Sequence, residues 1–164
     1  MQNLDLHGAT INLANAGLAA GTTSTYTTTA TTRHVINGKF GTTLAAQTNT
    51  ASPTTDVNTA AAFVAQTDNT ACCYVWGVNA AGAIKVAQGD IVDTEVGVTT
   101  TPGSFIVAPP FPALPDDFCP IGYTIIQTAP SASDFTFGTS EWGATGITDT
   151  WVNVATLPSR PQTS

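Results

Sequence analysis

Charge is what this chain has least of. Only 9% of its 164 residues are charged, against about 25% in an average globular protein. Arg33, Lys39, Lys85 and Arg160 are its only cations, set against eleven acids for a net charge of −7. With no basic patch to neutralise phosphates, neither nucleic acid nor an anionic membrane surface is an expected partner. No apolar run approaches the roughly 20 residues that a spanning helix needs. The opening Met1–His7 lacks the basic start and apolar core of a secretion signal. The expectation is a protein that folds in a reducing cytosol.

Chemistry-bearing residues are equally scarce. His7 and His34 are the two histidines, and His34, beside Arg33, has no acid or cysteine at metal spacing. It reads as an ordinary surface or edge residue. Cys72, Cys73 and Cys119 form an odd set without zinc-ligand spacing. Adjacent residues of a strand face opposite sides of a sheet, so Cys72 and Cys73 are expected to be separate, reduced, buried thiols. A Cys119 bridge to one of them is geometrically open. There is no G-x-S-x-G elbow, P-loop or G-x-G-x-x-G. Asp90, Asp93 and Glu95 lie close together, but without the further oxygen ligands and glycine turn of a calcium loop they read as a solvated strand face. No catalytic, cofactor-binding or metal-ligating residue is therefore expected. Among the aromatic residues, Trp142 and Tyr123 are candidates for sugar stacking, with core packing as the commoner role.

What the chain does have is Thr, Ala, Asn, Ser, Gln and turn signals. Branched Thr favours strands and supplies polarity without charge. Cys72–Asp90 reads as a β-hairpin, with Tyr74, Val75, Trp76 and Val78 in one arm, Ile84 and Val86 sharing a face of the other, and a turn at Asn79–Gly82. Asn37-Gly38 is a second hairpin signal. Strands are also expected within Thr22–Thr32, at Phe63–Ala65, Ser104–Ala108, Ile121–Thr128, Phe135–Ser140 and Ile147–Val154, the last from strict alternation. Residues 47–60 read as a long polar surface loop, with at most one helical turn capped by Asp56. Five of the ten prolines fall in 109–120. Proline cannot donate to a central ladder, so this piece is expected to be a crossover packed down by Phe111, Leu114 and Phe118. The resulting fold class is all-β: one domain of about eight to ten short antiparallel strands, a sandwich or jelly-roll-like barrel. An extended N-terminal arm (1–21) precedes the β-domain (22–157), and a tail (158–164) follows it. The arm is the expected point of contact with a neighbour.

Several phrases together resemble small structural proteins of tailed bacteriophages that decorate heads or form head fibres. They are Ile36–Phe40, Ala51–Asp56, Val75–Gly82 and Lys85–Gly89, then Phe111–Tyr123, Phe137–Ser140 and Trp151–Val154. The likeness covers roughly residues 33–160 and is one of turns and strands, with no catalytic motif. It implies a non-enzymatic virion protein, a homotrimer on the capsid surface whose partner is the major capsid protein, folded in the host bacterial cytoplasm. The alternative is a fibre or tail-associated module that recognises host surface glycans.

Overall fold

The computed structural model describes residues 8–163. Among them it shows eleven short strands in three antiparallel sheets and no helix, consistent with a single β-sandwich domain and not closed into a barrel. The central hairpin is present as expected. β7 (Thr70–Val78) and β8 (Ile84–Gln88) pair with Trp76 opposite Val86. Their turn is closed by Asn79 N–H to Ala83 O (3.1 Å), with Gly82 at φ +81°. β10 (Cys119–Thr128) lies on the other side of β7, and β11 (Ile147–Asn153) follows it, giving the order β11-β10-β7-β8. β9 (Val92–Asp93) pairs with the start of β7. Two three-stranded sheets flank this one. The first is β1 (Ile11–Asn12), β4 (His34–Ile36) and β5 (Lys39–Phe40), turned at Asn37 and Gly38, both with positive φ. The second is β2 (Leu18–Ala20), β3 (Thr25–Thr28) and β6 (Gln47–Ala51).

The sequence suggests a half-buried hairpin, but all nine residues of β7 are buried. Alternation sends Cys72, Tyr74, Trp76 and Val78 to one face and Cys73 and Val75 to the other. The first face meets the β2-β3-β6 sheet and a set of aromatic rings. Trp76 lies 5.2 Å from Tyr26, 5.2 Å from Phe137 and 5.5 Å from Trp151, centroid to centroid. The second face is covered by the proline-rich stretch, as its interleaved apolar residues predict. Phe111 meets Tyr123 edge-on at 5.1 Å, Leu114 packs beside it, and Phe118 is buried. Phe118 lies directly over Gly77, where a Cβ would come within 2.4 Å of the ring. Pro120 sits inside central β10, where proline is normally excluded. The register slips between Pro120 and Gly122, so the missing N–H falls at a bulge.

Five expectations change. Gln47–Ala51 is a strand, not a loop; it is an edge strand with one solvated face, so its polar residues hid it. Phe63–Ala65, Ser104–Ala108 and Phe135–Ser140 are not strands: Phe105 and Phe135 each make one isolated bridge, to Thr94 and Gln66. Of the arm expected over 1–21, residues 1–7 lie outside the described residues, while 8–21 form β1 and β2. Ala16 and Leu18 are core residues. The tail is also tied down, with Pro161 buried and Gln162 N–H donating to the Tyr123 hydroxyl at 2.8 Å. His34 is not at the surface. It is 1% exposed, and its Nε2 lies 3.1 Å from Asn79 O, which fastens β4 to the hairpin turn.

Two side chains join separate pieces by imitating backbone. The Asn153 carboxamide accepts from Leu18 N–H (2.7 Å) and donates to Leu18 O (3.0 Å), clipping β2 to β11. Asp56 accepts from Gln88 N–H (3.0 Å), and Val57 N–H donates to Val86 O (2.8 Å), so this segment covers the outer edge of β8. Asp56 also caps a single turn through Thr59 N–H. Asn153→Ala strips both partners from Leu18, and urea unfolding should show a loss of about 1–3 kcal/mol.

Candidate functional site

The clefts of this molecule are lined by polar side chains already committed to the fold. One, of about 260 Å³, contains Asn12, Asn15 and Asn153. Asn12 donates to Val154 O, Asn15 accepts from Gly17 N–H, and Asn153 is spent on Leu18. A second, of about 310 Å³, contains Asp56 and Gln88. Both Asp56 carboxylate oxygens accept backbone N–H groups, and the Gln88 amide spans Val64 N–H and O. A third, of about 300 Å³, lies among the 131–147 loops. There Ser131 donates to Thr99 O and Ser140 accepts from Thr136 N–H, while Asp134 and Glu141 point into solvent.

The acids that the sequence grouped lie at the surface. Asp90, Asp93 and Glu95 are exposed, as a solvated face requires. Among the described residues no three His, Cys, Asp or Glu side chains converge as metal ligands. His34 offers one unpartnered buried nitrogen, Nδ1. Gly41 packs against the other side of the ring, where a Cβ would lie 2.0 Å from Nε2.

Neither aromatic candidate for sugar stacking offers a free face. Trp142 is 6% exposed, donates its indole N–H to Thr25 O (2.6 Å) and packs edge-on against Trp151 at 5.2 Å. Tyr123 is fully buried beneath Phe111 and the tail. Packing has taken both rings, because each lies on a covered face of the central sheet.

The surface features that the sequence did not single out are apolar. Phe40 is 84% exposed on β5, opposite Val35. It overhangs a cleft of about 260 Å³ shared with Ile36, Lys39, Ala80 and Asp116. Val96 and Val98 (79% and 76% exposed) stand out on a projection that runs from 94 to 107, with Ile106 and Val107 beside them. The signal was present as apolar residues in short runs, but composition alone assigns such runs to the core. No helix of the described residues is long and apolar enough to cross a membrane.

No protein-family model matches the chain, and neither a curated protein nor a solved structure matches it.

All three cysteines are unpaired and buried. Burial pushes the Cys72 thiol up to about 12 and the Cys119 thiol up to about 11, and raises Cys73 as well. These groups are poor nucleophiles, since the thiolate is the reactive form. An aromatic disulfide reagent at pH 8 should leave the native protein untouched and titrate three thiols once guanidinium unfolds it. The same shifts set an alkaline limit. Below the ordinary thiol value of 9.0 both states are protonated and no stability is lost. Above it the unfolded chain ionises while the folded one does not, so unfolding free energy should fall progressively between pH 9 and about 12. A flat profile across that window would contradict the burial of these thiols.

Proposed function

We propose that this protein is a structural component of a tailed-phage virion that binds the outside of the capsid and stabilises it without catalysing a reaction. One observation carries the reading: the large apolar side chains of Phe40, Val96 and Val98 stand in solvent on segments braced by backbone hydrogen bonds, while many of the polar groups in the clefts satisfy the protein's own backbone. Exposed apolar side chains that gather on one segment, as Val96 and Val98 do, are a feature of contact surfaces. The resemblance of residues 33–160 to head decoration and head fibre proteins supplies the partner, the major capsid protein, and the homotrimeric state. The central sheet, covered on both faces, with the outer edge of β8 blocked by Asp56 and Val57, suits a module that must persist on a particle exposed to proteases.

The test is co-sedimentation with emptied heads of the encoding phage, prepared without this protein. Saturable pelleting, together with a rise in the temperature at which the heads rupture, is the expected result. A chain that stays in the supernatant at every ratio, with rupture unchanged, would overturn the reading.

A further inference from the structure

The two apolar projections lie at opposite ends of the central sheet. Phe40 belongs to the end that holds the Asn79–Gly82 turn: Thr42 N–H donates to Ala80 O, and Lys39 and Phe40 line a cleft with Ala80. The 94–107 projection belongs to the other end, where Thr94 N–H donates to Asn69 O and Val92 pairs with Ala71. The nine residues of β7 separate these ends by about 26 Å at about 3.3 Å per residue.

Charge is divided in the same way. The segments that build the far end, 66–71, 90–107 and 128–147, contain no Lys or Arg. They expose Asp68, Asp93, Glu95, Asp134 and Glu141. The turn end exposes Lys39 beside Phe40, and Lys85 opposite Gly77. Asp116 and Asp117 are also there, the latter accepting from Ala80 N–H at 2.9 Å, so the turn end carries both signs where the far end carries one.

The far projection is held rigidly. Val98 and Thr101 exchange both backbone hydrogen bonds (2.9 and 2.8 Å), and Glu95 N–H donates to Ser104 O. Thr99 takes the left-handed conformation at φ +48°, unusual for a β-branched residue, and its carbonyl accepts from both Ser131 N–H (3.0 Å) and Ser131 Oγ (2.7 Å). Gly97 N–H and Gln127 Nε2 donate to Asn69 Oδ1 and Gly103 O. An apolar surface fixed before contact loses little freedom on binding.

We infer that copies of this chain associate head to tail, with the Lys39–Phe40 strand of one seated against the Val96–Val98 projection of the next and Lys39 facing Asp93 and Glu95. The occupant is a second copy because the turn end supplies what the far end lacks, an apolar knob next to a cation. Like-to-like pairing of the far ends would bring Asp93 and Glu95 against themselves. A contact between two different surfaces is heterologous: it closes into a ring when its rotation divides a full turn and otherwise extends as a filament. The inference rests on the structural role proposed above and specifies how the oligomer is built.

The experiment is light scattering on a sizing column with the wild-type protein, Phe40→Asp, Val98→Asp and an equimolar mixture of the two variants. Both residues are exposed, and unchanged circular dichroism checks the fold. The wild type should be oligomeric, each variant monomeric, and the mixture should give a 1:1 heterodimer, since each variant keeps the surface the other has lost. A monomeric wild type, an oligomeric variant or a mixture that remains monomeric would overturn the inference. Capsid co-sedimentation is read separately. A monomer that pellets with heads defeats head-to-tail assembly alone, whereas an oligomer that complements as described but ignores heads defeats the virion reading alone.

Discussion

The rest of the structure depends on a central pair of strands, β7 and β10, cut off from water on both faces. Every backbone and side-chain polar group there must find a partner inside the protein, and an ion would cost several kcal/mol to desolvate. The chain meets this constraint with neutral groups. Trp76 gives its indole N–H to Thr124 (2.8 Å), and Tyr74 gives its hydroxyl to Gln66 (3.1 Å). Thr128 donates to Thr67 O and receives Thr70 N–H, which settles the end of the β7–β10 ladder. The threonines of this region and its lack of charge have the same origin. A hydroxyl on a branched carbon fits a pleated surface and satisfies a buried carbonyl without a Born penalty.

Elements whose chemistry is local were legible from the residues alone. Asn37-Gly38 and Asn79–Gly82 each announce a turn through positive-φ requirements, and both hairpins are present. The 121–128 and 147–153 strands were visible from their β-branched runs and alternation. Phe111, Leu114 and Phe118 could be assigned to a packed crossover because prolines around them exclude a ladder. Elements defined by distant partners were not legible. Gln47–Ala51 becomes a strand only because β3 accepts it, and Phe135 and Phe137 look like strand residues but serve as ring contacts to Trp142. Ala16 and Leu18 seemed part of a free arm because the groups that bury them, β3 and Asn153, come later in the chain.

Legibility of function followed the same line. Short motifs carry catalysis and metal binding, so their scarcity could be read directly from the residues. Contact surfaces are assembled from residues that mean nothing singly. Phe40 sits in a strand of two residues and Val98 in an isolated bridge, and neither differs in kind from a core residue until the topology leaves it outside. His34 shows the converse. Its polarity suggested the surface, yet the hairpin turn supplies a carbonyl that draws it inside.

The Asn153 clip has a consequence for how the molecule is made. Its partner, Leu18, is 135 residues earlier, and Trp142 reaches back 117 residues to Thr25. On the ribosome the N-terminal β2-β3 hairpin therefore emerges well before the groups that hold it to the central sheet. Trp76 is made midway and can cover Tyr26, but Leu18 waits for Asn153. Completion is a late, long-range closure, in the class of β-topologies that fold in milliseconds to seconds. A synthesis that stops short of residue 153 would release a chain with its main sheet begun and its first sheet unmoored.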